Sequence, residues 1–385
     1  MDSANARGLA CYRLLALCAR ATGHDALYAE LARQLADFHD WQELIAQAEV
    51  HGMAPLLWHH IQRSGVEIPV DVARTLKGLY LRHRRNNQIH AQVLIEIIAL
   101  LQTADIHPVV LKGLGLAYSL YPDPALRPIS DLDLLLQRDE IHPALDLLRA
   151  AGFSTPPLPL DDGPASKELT VDSPLHDGLR VHVELHHYDP RQRDDEFAGF
   201  TSPPQAIQVE GGTVLIPAPM DNLEYLSRHF TRHLFEARTD KPLPLKWISD
   251  ILSLAERHAE SIDWSRHTQL LQRLDVFYSL TPLPETLRGI IPIEPSQPPA
   301  GVDRYPQGWP QEKFAQARQR GLARFLAQTF RAPRSGGSDC ITGSGRGPRV
   351  GTGRLSTARG SLVGWSACWH ARPRENLTKP PARGA

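Results

Sequence analysis

The chain has 385 residues, of which 42% are hydrophobic and 22% charged, and its formal net charge is -1. This is an ordinary globular composition, and it excludes a generally basic nucleic-acid coat and a generally acidic disordered chain. The length allows two domains, or one domain with a helical annex. No apolar run approaches the roughly 18 residues that span a bilayer, and no secretory signal is visible, so we expect no membrane insertion.

The four cysteines, Cys11, Cys18, Cys340 and Cys368, form no CxxC pair. Cys11 and Cys18 are two helical turns apart, where they are expected to be packed rather than cross-linked. Few and unpatterned cysteines are typical of a reducing compartment, so we expect a cytoplasmic protein.

Residues 1–102 are predicted to form a helical N-terminal region, because apolar residues recur at spacings of three and four. Within it, Asp40 is the expected N-cap of a helix over 41–50, with Glu43 at the capping-box position and Gly52 as the stop. A longer helix is predicted over about 70–101, with a strongly apolar second half.

Residues 103–218 are predicted to form an α/β core. Strands are expected over 107–111, 131–136 and 179–187, and helices over 114–121 and 139–151. This β-α-β-α-β order implies a small mixed sheet with helices on one side, flanked by helical regions. The predicted fold class is therefore α+β.

Residues 219–280 are predicted to be helical, with elements over 220–236 and 245–259 and another beginning at 263. Residues 281–330 are predicted to be a proline-rich linker followed by one helix. Residues 331–385 are predicted to be a disordered basic tail, either a nucleic-acid-binding arm or non-native coding such as a shifted frame. The tail holds ten basic and two acidic residues. Residues 1–330 therefore keep 32 basic and 41 acidic residues, a net charge of -9, which argues against a general RNA-binding surface.

The candidate chemistry lies in the core. Asp131 and Asp133 are two apart on a predicted strand, so their carboxylates point to the same face. Like charges on an otherwise apolar strand need a cation between them, and hard oxygen ligands suit Mg²⁺ or Mn²⁺. Glu184, in the segment Val-His-Val-Glu-Leu-His (181–186), would complete a cluster of three carboxylates if its strand is adjacent. The Lys112-Gly113 turn precedes a predicted helix, where backbone N–H groups favour a phosphate.

On these residues the sequence resembles the polymerase-β-like nucleotidyltransferase superfamily, in particular a bacterial group of uncharacterised members with a helical N-terminal region. The resemblance covers roughly residues 45–275. It rests on the Lys112-Gly113 turn, Arg127 before Ser-Asp-Leu-Asp-Leu-Leu (130–135), and Glu184-Leu-His186. A Trp-x-x-Asp-Ile segment (247–251) and Asp263-Trp264 also match the group. The superfamily turn is usually Gly-Gly or Gly-Ser, whereas this chain has Gly113-Leu114, which removes one hydroxyl contact to phosphate.

The resemblance implies an enzyme that transfers a nucleoside monophosphate from a nucleoside triphosphate to an acceptor hydroxyl. Asp131, Asp133 and Glu184 would hold the metal and form the catalytic cluster. Lys112, Gly113 and Arg127 would position the triphosphate, and a loop salt bridge is the alternative for Arg127. The acceptor, whether a small molecule, a protein or tRNA, cannot be read from the sequence.

Several alternatives remain open at this stage. The chain could be a non-catalytic nucleotide-binding or scaffold protein, or a toxin-like enzyme that modifies tRNA or protein. The histidines offer a zinc site instead of a magnesium site, and Asp189 is a substitute for Glu184 as the third acid. Asp250 could serve as a general base, or as a helix cap or salt-bridge partner. The residues of the zinc alternative are His182, Glu184, His186, His229 and His233.

Overall fold

The computed structural model describes residues 3–156, 168–188, 200–235 and 244–260, together with isolated positions from 262 to 281. Asp189 and the predicted linker and tail beyond residue 281 lie outside the described residues. Their interpretation stays a prediction.

The described elements follow the predicted order of helices, then sheet, then helices. The helices are α1 (Ser3–Leu17), α2 (Asp25–Leu35), α3 (Trp41–Val50), α4 (Ala54–Ser64), α5 (Val70–Gln102), α6 (Gly113–Ser119), α7 (Ile141–Ala150), α8 (Pro219–Phe235) and α9 (Leu245–Arg257). The strands are β1 (Val109–Val110), β2 (Asp131–Gln137), β3 (Glu168–His176), β4 (Leu179–Tyr188), β5 (Gln205–Val209) and β6 (Gly212–Ile216). Together they confirm the α+β class.

The predicted bounds of α3 and α5 agree closely with those observed, but the predicted cap of α3 does not form. Asp40 is the N-cap residue, yet its side chain makes no capping hydrogen bond. Gly52 follows the helix with a φ of +66°. This left-handed conformation suits glycine and ends the helix as expected.

The sheet is larger than predicted. Its strands lie in the order β3-β4-β2-β1-β6-β5. β2 is parallel to β4, β1 is parallel to β6, and the remaining neighbours are antiparallel. The strands β3, β5 and β6 were missed. β3 carries a proline and a bulge, and β5 and β6 are only five residues long, with a glycine at the start of β6.

Helices lie on both faces of the sheet, so the expectation of helices on one side is wrong. On one face, Leu132, Leu134 and Leu136 of β2 share a hydrophobic cluster with the second half of α5 and with α7. On the other face, Val109 and Leu135 belong to a second cluster that contains residues of α1–α4, α8 and α9. The N-terminal and C-terminal helical regions, which are far apart in sequence, therefore share one core on the face to which Asp131 and Asp133 point.

Cys11 and Cys18 are buried and free within that second cluster. Burial raises the pKa of the Cys11 thiol to about 12, so it is a packing residue rather than a reactive one. Among the described residues, no helix is both long and apolar enough to cross a membrane.

A buried histidine in α4 makes the stability of this core depend on pH. His60 Nε2 donates to the backbone oxygen of Arg20 at 2.8 Å, while Nδ1 has no partner among the described residues. Burial lowers the pKa of His60 from 6.5 to about 4. Between these values the unfolded chain binds a proton that the folded chain does not, so stability falls as the pH drops.

We therefore expect the His60 contribution to the free energy of unfolding to be constant above pH 7. That free energy should then fall by about 3 kcal/mol between pH 6.5 and pH 4, because the unfolded chain takes up a proton at this histidine. His60→Gln should be less stable at pH 7 but should lose less between those two pH values. Urea unfolding at half-unit pH intervals measures the difference. Parallel pH profiles for the two proteins would contradict the assignment.

Candidate active site

The site is built on β2 and β4, which run side by side in parallel. The register pairs Asp131 with His182, Asp133 with Glu184, and Leu135 with His186. Because side chains alternate along each strand, Asp133, Glu184 and His186 share one face. The predicted adjacency of the two acidic strands is therefore present.

Asp133, Glu184 and His186 form a compact group in which one ligand atom of each lies within 4.8 Å of the others. His186 Nε2 lies 3.0 Å from Asp133 Oδ1 and 3.6 Å from Glu184 Oε2. The side chain of Asp133 is 1% exposed, whereas that of Glu184 is 27% exposed. Asp133 thus forms the floor of the site, and Glu184 reaches toward solvent.

Lys112 completes this group from the turn that follows β1. Its Nζ lies 2.8 Å from Asp133 Oδ1. Burial opposes the charge of Lys112, but the Asp133 carboxylate raises the pKa of Lys112 above its usual value. The sequence predicted that Lys112 would contact a phosphate. In the structure its ammonium group forms an ion pair with Asp133.

The charges on Asp133 and His186 stabilise each other. Burial raises the pKa of Asp133, but Lys112 and His186 outweigh burial and hold that pKa far below its ordinary value. Burial lowers the pKa of His186, but hydrogen bonds to Asp133 and Glu184 raise it to about 9. At neutral pH, the two carboxylates therefore face an ammonium and an imidazolium.

Asp131 lies on the same face but outside the compact group. It is the first residue of β2, two residues before Asp133, and its Oδ1 accepts a hydrogen bond from Ser130 Oγ at 3.1 Å. The predicted triad therefore consists of a close pair, Asp133 and Glu184, with Asp131 beside it. Of the five residues in the zinc alternative, only Glu184 and His186 belong to the group found among the described residues. His182 contacts Asp172, and His229 and His233 lie against Trp247.

The donor set fits a hard divalent cation. Two carboxylates, with a third nearby, are the oxygen ligands that Mg²⁺ and Mn²⁺ prefer. One imidazole is compatible with Mn²⁺ but gives a poor match to a tetrahedral zinc site. The residues that would hold the ion are Asp133 and Glu184, together with Asp131.

Gly113 brings the turn close to the acidic strand. Its φ is +47°, and a Cβ there would lie 3.4 Å from the backbone oxygen of Asp131 and 3.9 Å from Arg127 Nη1. A residue with a side chain would therefore be strained by the left-handed backbone, although its Cβ would have room. Lys112 and Arg127 both approach the site because this turn packs tightly against β2.

Arg127 forms a buried ion pair with Asp250 of α9. Arg127 Nη2 donates to Asp250 Oδ2 at 2.8 Å, and Arg127 Nε donates to both carboxylate oxygens. Tyr121 Oη also donates to Asp250 Oδ1, at 2.7 Å. The Asp250 side chain is 1% exposed. The sequence left Asp250 as a general base, a helix cap or a salt-bridge partner. In the structure its carboxylate forms the salt bridge with Arg127.

Lys246 is a site residue that sequence analysis missed. Its Nζ donates to the backbone oxygen of Pro128 at 3.2 Å. Burial and the charge of Arg127 lower the pKa of Lys246 to about 8, while Asp131 opposes them. The sequence did contain one indication of this role. Lys246 precedes Asp250 by four residues, and residues at that spacing lie on one face of a helix.

The Arg127–Asp250 pair predicts a large stability effect. Asp250→Asn leaves the buried guanidinium without a counter-ion, so we expect the free energy of unfolding to fall by about 3–5 kcal/mol. Asp146→Asn is the matched control, since Asp146 pairs with Arg149 on an exposed helix surface. That change should cost less than about 1 kcal/mol. Denaturant unfolding compares the two variants, and equal losses would show that the buried pair has no special role.

A crystal structure of an antigenic nucleotidyltransferase-like protein from Paracoccidioides brasiliensis aligns with 51% of this chain and 91% of its own, at 16% identity and a TM-score of 0.30. A likeness at that level supports no argument. A search of curated proteins gives no significant match.

The family described as uncharacterised nucleotidyltransferase matches residues 37–283, which is more than half of the chain and includes every residue of the site. The match confirms the resemblance drawn from the sequence. The chain belongs to this nucleotidyltransferase family.

Proposed function

We propose that this enzyme uses Mg²⁺ or Mn²⁺ to transfer a nucleoside monophosphate from a nucleoside triphosphate to an acceptor hydroxyl. The observation that carries the proposal is the lateral pairing of Asp133 with Glu184 on parallel strands, beside the Gly113 turn. Two carboxylates in register, with Asp131 on the same face, supply the oxygen ligands that a hard divalent cation prefers.

In this scheme, Asp133, Glu184 and Asp131 would hold the metal. When bound, the ion would neutralise the phosphate charge and stabilise the leaving pyrophosphate. Asp133 is the fixed member, because it is buried and held by Lys112 and His186. Glu184 is the accessible member, and it is the carboxylate to which an acceptor hydroxyl can pass its proton.

The reaction forms a bond from the acceptor oxygen to the α-phosphorus and breaks the bond from that phosphorus to the oxygen bridging to the β-phosphate. Pyrophosphate leaves, and the acceptor proton moves to a carboxylate. Positive charge near the phosphates favours this step. Lys112 lies within the acidic group, and Lys246 is on the adjacent start of α9.

Arg127 has a divided role in this proposal. Its Nε and Nη2 are held by Asp250, while Nη1 lies near the Gly113 turn and 3.4 Å from the backbone oxygen of Pro128. Through the Asp250 pair, Arg127 fixes the loop before β2. Its Nη1 remains the group that can approach a triphosphate.

Glu184→Gln tests the catalytic assignment. The change removes a charge from a partly exposed side chain, so we expect transfer to fall at least about 100-fold with the fold retained. The assay incubates the purified chain with each labelled nucleoside triphosphate, Mg²⁺ and whole-cell extract, and then identifies the labelled species. Circular dichroism checks the fold.

Glu96→Gln is the matched control, because Glu96 lies on α5, on the other face of the sheet. It should keep full activity. Full activity in Glu184→Gln would refute the assignment. Nucleotide binding without turnover in the wild type would favour the non-catalytic alternative. Asp133→Asn should also abolish transfer, but it leaves Lys112 without its partner and so adds a stability cost.

Metal binding gives an independent test that needs no acceptor. Electron paramagnetic resonance measures free Mn²⁺ during titration of the protein. We expect Glu184→Gln and Asp131→Asn each to weaken binding about tenfold or more, and Glu96→Gln to leave it unchanged. Wild-type affinity in Asp131→Asn would limit the metal site to Asp133 and Glu184.

A further inference from the structure

A polar cavity lies at the end of α6 that is remote from Gly113. Its volume is about 280 Å³, at the small end of ligand-binding cavities. It opens between the loop after α1, the last residues of α6 and the second half of α9. The residues that line the cavity include Arg20, Thr22, Leu120, Ser253, Glu256 and Arg257.

Arg20 is the most informative residue of this cavity. Its side chain is 3% exposed, and its Nε donates to Glu256 Oε1 at 3.2 Å. Both of its Nη atoms are buried and have no hydrogen-bond partner among the described residues. A buried guanidinium with unsatisfied donors is costly, so it calls for an acceptor that the described residues do not supply.

The backbone around Arg20 is held in place. His60 donates to the Arg20 oxygen at 2.8 Å, and the Ala21 N–H donates to Ser253 Oγ at 2.7 Å. The backbone segment that carries the Arg20 side chain is therefore fixed at the edge of the cavity. Such preorganisation lowers the entropic cost of binding a ligand.

A second guanidinium adds to the positive charge. Arg257 donates to the backbone oxygens of Ser119 and Leu120, at 2.7 and 2.6 Å. The charged residues of the lining are Arg20, Arg257 and Glu256, so the cavity has a net charge of +1. Guanidinium groups bind oxyanions through paired N–H donors, which matches the geometry of a phosphate.

We propose that this cavity binds a small phosphate monoester, with Arg20 Nη1 and Nη2 donating to the phosphate oxygens and Arg257 adding charge. The site is separate from the metal centre. Gly113 begins α6 and Ser119 ends it, so the helix alone places about 10 Å between them.

Isothermal titration calorimetry of the full chain tests this site. The probes are orthophosphate and glycerol 3-phosphate, without divalent metal and at constant ionic strength, and glycerol is the uncharged control. We expect both phosphates, and not glycerol, to bind the wild type. Arg20→Gln should weaken binding at least tenfold, and Arg257→Gln severalfold.

Glu256→Gln gives the sharpest test, because it removes the opposing charge from the cavity. It should tighten phosphate binding, which loss of a merely structural contact would not do. Arg74→Gln is the charge-matched control on the exposed surface of α5 and should have no effect. If Arg20→Gln does not fold, the opposite shifts expected for Arg257→Gln and Glu256→Gln decide the question.

Absence of phosphate binding in the wild type would overturn the proposal. The proposal would also be overturned if the single variants Arg257→Gln and Glu256→Gln both bound phosphate with wild-type affinity. Glu184→Gln should leave the affinity unaltered, and tighter binding in that variant would place the anion at the metal centre instead. The test does not depend on transferase activity, so its failure would leave the proposed function standing.

Discussion

The structure depends on the neutralisation of a carboxylate buried in the middle of β2. Asp133 has almost no contact with solvent, and an isolated charge in that position would not be tolerated. Lys112 and His186 supply the compensating positive charge from the turn after β1 and from the neighbouring strand β4. One side chain thereby ties together the three segments that the site needs.

A second buried charge extends this arrangement into the helical region. Arg127 comes from the loop before β2, and Asp250 comes from α9, in the C-terminal helices. Their pairing fixes the angle at which α9 meets the sheet, and so it sets the position of Lys246 one turn earlier. The helices that share a core with the N-terminal region are thus attached to the acidic face of the sheet by charge as well as by apolar contact.

Much of this could be predicted from the sequence, because local patterns specify it. Alternation of Leu with Asp indicated β2 and the common face of its acids, and helical periodicity indicated α5, α8 and α9. The partners of Lys112 and Arg127 could not be predicted in the same way. Asp250 lies 123 residues beyond Arg127, and no local pattern specifies a contact at that separation. The strands β5 and β6 were missed because each is only five residues long, and β6 begins with Gly212, which has no side chain and lies against Ile95.

The long separation between Arg127 and Asp250 also has a consequence for synthesis on the ribosome. The chain emerges from its N-terminus, so β2 and its loop are available well before α9. Until residue 250 has emerged, the Arg127 guanidinium has no counter-ion with which to become buried. We therefore expect the Arg127 guanidinium to stay in water until the C-terminal helices arrive. Contacts of such high sequence separation carry a large loop-closure cost, so we expect the Arg127–Asp250 pair to form late in folding.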